Sequence, residues 1–550
     1  MRPIERIASA FFTTLILVLG ACGGGGLASI ASGVGTGGTG IVFGAITGFG
    51  SVVVDGTTYS SAAPQYFADS DQGEAVQASA ASLGLGNQVQ LQLDAQGNPA
   101  SVIIEPALVG TVSRLGQGEL VVNGMTVRIN ANAAKGPVTY FAGLSGFSDL
   151  SSGMRVGVHG AYGIDPISQK EFFQASLIEQ LPVSSTVNRL SGLVSNLNAA
   201  DGTFRLGGTT VTMSASTSVL PNRTVLADGL WVNVWSNVAP GTNGDLRAGV
   251  IRVRSLSGAT GSVQIGGIVS GLSGTRFQVS GIAIDGSASA LAQVVKNLVP
   301  GEYVVIQGQA DAHGSVLVAS GIRAYATQPG AVELNGTITD FVNKGNFLLR
   351  GVPVDASRAQ LVGTASVANL RNGMFVTVIG SVSNVSGNVV VAKSVSGASK
   401  APIGGTVNYR GTVSQFNPAS GSFVLTGSLD EDGASATIRL APNVAYANGE
   451  AAQLTNGASV EVEATKNTGD IVAYGVFFRK ISARSPSAGK LETEGLVYGV
   501  TSSTFDVNGL TIQINGVIPQ GGTLVNGARA EVEFTQSGGQ NLAQEIAIDH

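Results

Sequence analysis

Val52-Val53-Val54-Asp55-Gly56 is the stretch that decides the fold, because its pattern returns along the whole chain. The pattern is a large apolar residue, any residue, a small aliphatic residue, any residue and then glycine. Its further occurrences are Leu120–Gly124, Phe204–Gly208, Phe277–Gly281, Phe347–Gly351, Phe423–Gly427 and Phe505–Gly509. Period-two alternation that ends in a turn pair such as Asp-Gly predicts a half-buried strand entering a tight hairpin. Its return at domain-sized intervals predicts one small β unit copied many times.

Three other landmarks keep the same order in every copy. A glycine opens each copy; these opening glycines are Gly44, Gly110, Gly192, Gly267, Gly336, Gly411 and Gly495, spaced 66 to 84 residues apart. A β-branched strand such as Gly153–Val158 follows the phrase, and a closing strand carries Ala and, three residues later, Ile or Val. The uneven spacing excludes a thin solenoid and favours separate small domains with variable loops.

Each copy is predicted to contain five strands, with a looser stretch between the third and the fourth. In the fourth copy that stretch places Leu291, Val294, Val295 and Leu298 on one face of a short helix. The order predicts an all-β chain: a tandem array of about seven small five-stranded OB-like barrels, with a short or absent helix between strands three and four. A small open sandwich is the alternative for each unit.

The landmarks also predict the domain boundaries. A lipoprotein signal peptide over 1–21 and a Gly-rich tether over 22–40 come first. The β repeats follow at 41–106, 107–182, 188–256, 262–326, 331–396, 405–482 and 490–550. Units of this size lie near the lower limit for a self-sufficient core, so each should lean on a neighbour. Short linkers rich in Gly, Ser and Pro predict a semi-flexible string of beads.

The N-terminus carries the most specific functional signal. Arg2 and Arg6 precede a mostly apolar run over 7–18, and small residues lead directly to Cys22, the single cysteine of the chain. The run is short for a membrane span, and this order of features is typical of a secretory signal. An ordinary signal peptide with an incidental cysteine is the alternative.

The same residues resemble the lipobox of bacterial lipoproteins. That resemblance implies that Cys22 is lipidated and becomes the first residue of a protein held at the membrane by its N-terminal lipid. Gly23 after the cysteine, by analogy with lipoprotein sorting, implies the outer membrane of a bacterial cell envelope.

The repeat itself is also similar to a known type of domain. The opening glycine, Phe-x-Val-x-Gly, a Gly-Val-x-Val strand and an Ala-x-x-Ile close resemble the tandem domain of unknown function found in uncharacterised bacterial lipoproteins. The similarity covers about residues 41 to 549. Its motifs are structural, so it implies no catalytic residues.

Composition and motifs argue against several functions. Only 12% of residues are charged, 6% are aromatic and the formal net charge is −5, which disfavours nucleic acid as a partner. The histidines are His159, His313 and His550, one to a copy at most, so a His-based metal site is not expected. No nucleophile elbow or phosphate-binding glycine loop occurs, and we expect neither enzymatic activity nor a cofactor.

Two clusters remain as candidate sites. Asp69, Asp71 and Glu74 resemble part of a calcium loop, although the EF-hand pattern is not met, and a solvated connection is the simpler interpretation. Trp231 and Trp235 are the only tryptophans and fall on one face of a fourth strand. They form a ligand-binding platform, or they pack in the core or between domains.

The leading functional hypothesis is a non-catalytic, lipid-anchored envelope protein whose β modules provide a scaffold or an interaction surface. A binder of oligosaccharide or another envelope ligand is the alternative. An enzyme with its site between repeats, and an outer-membrane barrel or secreted adhesin, are less consistent with the repeats and the lipobox.

Overall fold

The computed structural model describes residues 40–549 of the chain with internal gaps. The gaps are 50–51, 60–63, 70–72, 74, 79–82, 143, 145, 182–185, 242–243, 257–258, 326–331, 367–369, 384–388, 398–405, 430–434, 448–450, 479–490, 499, 508–509, 521, 526–528 and 538–539. The predicted signal peptide, Cys22 and nearly all of the tether lie outside the described residues. In the described part, no helix has the length and apolar character needed to cross a bilayer.

The strands fall into groups that we number 1 to 7 after the predicted copies. Group 1 contains β1 (Gly40–Phe49), β2 (Val52–Val54), β3 (Thr57–Tyr59), β4 (Gln65–Asp69), β5 (Ala75–Ala78), β6 (Gln88–Leu93) and β7 (Pro99–Ile104). Group 2 contains β8 (Leu108–Leu115), β9 (Glu119–Val122), β10 (Met125–Ile129), β11 (Tyr140–Ala142), β12 (Arg155–Ile164) and β13 (Glu171–Gln180). Group 3 contains β14 (Asn188–Asn198), β15 (Thr203–Leu206), β16 (Thr209–Thr212), β17 (Ser218–Leu220), β18 (Trp231–Ser236), β19 (Leu246–Arg247) and β20 (Val250–Val253).

The remaining groups are simpler. Group 4 contains β21 (Val263–Ser273), β22 (Arg276–Val279), β23 (Ile282–Asp285), α1 (Ala292–Lys296), β24 (Tyr303–Ala310) and β25 (Val316–Ala324). Group 5 contains β26 (Val332–Asn343), β27 (Asn346–Leu349), β28 (Val352–Asp355), β29 (Gln360–Gly363), β30 (Phe375–Ser383) and β31 (Val389–Gly397). Group 6 contains β32 (Thr406–Asn417), β33 (Ser422–Leu429), β34 (Ser435–Ala447), β35 (Ser459–Lys466) and β36 (Ile471–Phe478). Group 7 contains β37 (Leu491–Tyr498), β38 (Thr504–Val507), β39 (Leu510–Gln513), β40 (Arg529–Ser537) and β41 (Gln540–Asp549).

Groups 6 and 7 are closed five-stranded barrels. In group 6 the first strand pairs with the second and fourth, and the third pairs in parallel with the fifth. This order, one-two-three-five-four and back to one, is that of the predicted OB-like barrel. The all-β fold class and the tandem closed barrels are therefore confirmed.

The same cycle of pairings occurs in groups 2, 4 and 5. In group 3 the closing strand is split into β19 and β20, which pair with β16 and β18 respectively. Group 1 differs, because β4, rather than β3, is the described strand that pairs in parallel with β7. The number of copies, seven, thus stays a prediction.

The helix predicted in the fourth copy is present. A 3-10 turn over Ser289–Leu291 leads into α1, and Leu291, Val295 and Leu298 are buried while Val294 faces solvent. Other short 3-10 turns are Ala133–Lys135, Phe147–Asp149 and Ala451–Gln453. The predicted short helix between strands three and four is confirmed for group 4.

The alternating phrase supplies the centre of each core. Its aromatic position is at most 2% exposed in Phe204, Phe277, Phe347, Phe423 and Phe505. Alternate residues of a strand point to one face, so the phrase buries one side of the second strand inside its own barrel.

Several cores are shared between groups. Groups 1 and 5 contribute to one continuous apolar cluster, and groups 2 and 3 form another. Ile41 and Phe43 of group 1 belong to the core of group 4. Units near the lower size limit for independent folding gain apolar burial from such sharing.

Opening strands also pair directly across groups. β1 pairs in parallel with β21, where Ile41 faces Val263, and with β26, where Gly48 faces Glu333. β8 pairs with β14 in the antiparallel sense. The predicted semi-flexible string of beads is therefore wrong for groups 1 to 5, because their strand edges and cores are joined side by side.

The opening glycines have a specific packing role. In groups 1, 2 and 4 the hairpin residue of the phrase has a positive φ, and its side chain folds back over the opening glycine. A Cβ on Gly110 would lie 2.6 Å from Cγ of Asn123, and one on Gly267 would lie 3.0 Å from Cβ of Ser280. The opening glycine and the hairpin residue, 11 to 13 residues apart in sequence, are thus in contact in space.

We expect Gly110→Ala to destabilise the protein, because the new methyl group overlaps Asn123. Overpacking of this kind costs about 1–3 kcal/mol of unfolding free energy. Gly116→Ala is the matched control, since a Cβ there has only Glu119 O, at 3.8 Å, as a neighbour. Urea denaturation of the chain measures both effects.

The double variant Gly110→Ala with Asn123→Gly should recover part of that loss, because it removes the overlapping side chain. Equal losses for Gly110→Ala and Gly116→Ala would contradict the assigned contact.

The pairing of β1 with β21 can be tested by a disulfide in a chain that has Cys22→Ser and thus no other cysteine. Ile41→Cys with Val263→Cys should oxidise spontaneously, because register partners on adjacent strands lie within disulfide reach. Ile41→Cys with Val407→Cys is the control. Mass spectrometry under non-reducing conditions reads the result, and a bridge in the control pair alone would refute the pairing.

Candidate functional site at the junction of the barrels

The predicted tryptophan pair lies where groups 2 and 3 meet. Trp231 and Trp235 are both on β18 and are 5% and 2% exposed. The Trp231 ring makes edge contacts with Tyr162 and Phe173 of group 2, with centroids 4.9 Å and 6.2 Å away. Trp231 makes a packing contact between domains in this structure; a ligand-binding role for the pair stays a prediction.

Three arginines surround these rings. The guanidinium carbons of Arg189 and Arg252 lie 4.7 Å and 4.9 Å from the Trp235 ring centroid. Arg254 lies between Phe43 and the Trp231 ring, at 4.9 Å and 5.1 Å. Such cation–π contacts gain strength when they are removed from water.

This cluster was not predicted from sequence, because the chain has no basic runs and Arg189, on β14, is far in sequence from Arg252 on β20 and Arg254 directly after it. The sequence feature that could have indicated the cluster is an arginine at an inward position of an apolar strand, such as Arg189 in β14. Inward positions are read from the strand alternation, so the signal depends on the register.

Glu105 is the carboxylate closest to two of these arginines. Its Oε2 lies 3.7 Å from Nη2 of Arg254 and 4.0 Å from Nη2 of Arg189. Burial lowers the pKa of Arg254, and Glu105 opposes that effect. Burial also lowers the pKa of Arg189, with a further contribution from the positive charges of Arg252 and Arg254.

A cavity of about 30 Å³ opens beside this cluster, where groups 1 to 4 meet. Its lining includes Phe43, Glu105, Tyr162, Arg189, Ser191, Trp231 and Arg254. Ser191 Oγ and Trp231 Nε1 are buried and have no hydrogen-bond partner among the residues that the structure describes. A buried donor without a partner is costly, so these two atoms call for an explanation.

A buried carboxyl group lies between groups 1 and 4. Asp55 is 0% exposed and accepts a hydrogen bond from Tyr303 Oη at 2.9 Å, while its Oδ2 has no partner among the described residues. Arg323 donates to the Asp55 carbonyl at 2.7 Å. Burial raises the pKa of Asp55 to about 7, and the Tyr303 hydrogen bond opposes that rise.

His159 joins groups 1 and 2. It is 1% exposed and lies within β12, at a bulge. The strand therefore continues past Val158, the end of the predicted strand Gly153–Val158. Gln88 N–H donates to Nδ1 at 3.1 Å, and Nε2 lies 3.2 Å from Asn87 Nδ2 and 3.6 Å from Glu179 Oε1. A backbone N–H can only donate, so Nδ1 is the acceptor in its contact with Gln88.

Ion pairs join groups 5 and 6. Arg350, the hairpin residue of group 5, pairs with the buried Glu463 and lies 4.6 Å from the Phe49 ring centroid. Arg410 pairs with Asp340 at 2.7 Å. In group 5, as in groups 1 and 2, the hairpin residue reaches across to another group.

The predicted calcium loop is only partly visible. Asp69 is the last residue of β4, while its side chain, Asp71 and Glu74 lie outside the described residues. Within the described part of the chain, no three His, Cys, Asp or Glu side chains gather as a metal site. The calcium loop stays a prediction.

Replacing Asp55 by Asn should change how stability depends on pH. The folded-state pKa of about 7 exceeds the ordinary value of 3.8, so the folded protein binds the extra proton between these pH values. Stability in the parent should therefore fall as pH rises from about 4 to 7, by roughly 4 kcal/mol in all. In Asp55→Asn, stability should depend less on pH over this range. Above pH 7 the variant should be more stable than the parent.

Tyr303→Phe is the companion variant. It removes the hydrogen bond that favours the charged form of Asp55. The fall in stability with rising pH should therefore extend to higher pH. Unfolding midpoints between pH 4 and 9 measure both changes. Identical pH profiles for the parent and Asp55→Asn would exclude a raised pKa at this position.

Comparison with known proteins identifies the repeated unit. Residues 109–165, 191–252, 410–476 and 494–547 match the family model described as Domain of unknown function (DUF5666). These segments fall in groups 2, 3, 6 and 7, and groups 4 and 5 show the same strand cycle. No curated protein matches the chain. The chain is therefore built of tandem copies of a small β domain, four of which are similar to the family described as Domain of unknown function (DUF5666).

Proposed function

We propose that this is a non-catalytic, lipid-anchored cell-envelope protein whose tandem β domains form a scaffold or interaction surface. The observation that carries the proposal is the pairing of β1 with both β21 and β26. Through it, groups that are distant in sequence build one joined body rather than separate modules. Such a body presents one continuous outer surface, and the tether joins it to the membrane.

The use of buried polar groups supports the non-catalytic part of the proposal. Asp55, with its raised pKa, is fully buried and contacts Tyr303 of another group. Asn123 donates to the carbonyl of Val109 within group 2 and to that of Arg189 across the junction with group 3. These groups hold domains together, whereas a general acid or base must reach the substrate proton.

The N-terminal sequence supports the anchor. The basic start, the apolar run over 7–18 and Cys22 resemble a lipoprotein leader. Acyl chains bind a bilayer with about 0.8 kcal/mol per buried CH₂, and two or more chains hold a protein stably. Gly23 after the cysteine favours the outer membrane by the same resemblance, and the tether separates the domains from the lipid surface.

Cys22→Ser should move the protein out of the membrane fraction, because it removes the only residue that can carry the lipid. Metabolic labelling with a fatty-acid analogue should mark the parent and leave the variant unlabelled. Ser32→Ala, within the same Gly-rich segment, is the control that should keep both properties.

Membrane association that is unchanged in Cys22→Ser would refute the anchor. Catalytic turnover of an envelope substrate by the purified chain would refute the non-catalytic role even if the anchor is present.

A further inference from the structure

We propose that the cavity where groups 1 to 4 meet binds a halide or another small monovalent anion. This inference goes beyond the scaffold role, since it assigns a ligand to the interior of the assembly. It rests on the charge, the hydrogen-bond donors and the size of the cavity.

The charge of the lining favours an anion. Arg189 and Arg254 line the cavity, and Glu105 is the one carboxylate residue among its described lining residues. Glu105 Oε2 lies 3.7 Å from Arg254 Nη2, which is longer than a hydrogen bond. An anion beside Arg254 would offset the cost of burying that cation more fully than this long ion pair does.

Two neutral donors complete the set. Ser191 and Trp231 are 1% and 5% exposed and line the cavity. Ser191 Oγ and Trp231 Nε1 have no hydrogen-bond partner in the described part of the chain. An indole N–H can only donate, so its partner in the cavity must be an acceptor.

The size of the cavity limits the ligand. A volume of about 30 Å³ has room for about two waters or one monatomic anion. Phe43, Tyr162 and Phe173 form apolar walls around it. A ligand with one charge and no bulky substituents fits this space, and a sugar or a phosphate ester does not.

The chain provides its own reporter for the test. Trp231 and Trp235 are its only tryptophans, and both are almost fully buried. Halides dissolved in bulk water quench buried indoles weakly and in proportion to concentration. Bromide bound in the cavity would instead quench Trp231 with a saturating curve, measured at constant ionic strength against a sodium gluconate background.

We expect saturable bromide quenching in the parent and in Arg247→Gln, an exposed arginine of the same group that serves as the control. Arg254→Gln should weaken the apparent bromide affinity by about tenfold or more, because a charged donor is lost. Ser191→Ala should weaken it by about threefold to tenfold with little effect on folding. Chloride should compete with bromide in the parent.

Diffraction from crystals grown in bromide provides the second measurement. An anomalous peak in the cavity beside Trp231 and Arg254 is the expected result. Weak linear quenching in every variant, together with no anomalous peak, would overturn the proposal and leave water as the occupant. Equal loss of quenching in Arg247→Gln and Arg254→Gln would also overturn it.

Discussion

The contact between the opening glycine and the hairpin side chain is the constraint on which the assembly depends. A positive φ turns the hairpin residue back over the first strand, and the missing Cβ on Gly44, Gly110 or Gly267 makes room for it. The side chain thereby reaches the surface that meets another group. Asp55 contacts Tyr303 and Asn123 contacts the Arg189 carbonyl in this way. The conformation of a local hairpin turn thus determines a contact between domains.

Direct strand pairing between groups also deals with exposed sheet edges. A small barrel leaves backbone donors and acceptors unpaired wherever its first strand projects beyond the closed part, and such edges promote aggregation. The backbone donors and acceptors of β1 pair with those of β21 and β26, and those of β8 pair with β14. The polar contacts at the hairpin residues then fix the register, because a shift of one residue would bury the wrong face.

Local features were predictable from sequence, and contacts between copies were not. Period-two alternation placed Phe204 and Phe423 in the core and put Trp231 and Trp235 on one strand face. Every opening strand has a similar apolar pattern, however, so nothing local distinguishes β21 as the partner of β1. Arg189 and Arg254 converge only through that assembly, and for this reason the cavity they line was missed.

The pairing of Ile41 with Val263 sets an order for folding. About 220 residues separate the two positions, so β1 receives this partner only after the rest of group 1 and two further domains have been made. At 5–20 residues per second this delay is on the order of tens of seconds. Groups 2 and 3, which share a core with each other, can condense during that time. Because β1 also pairs with β26, which follows group 4 in the chain, the N-terminal domain gains its last partner strand only after the first four domains have been made.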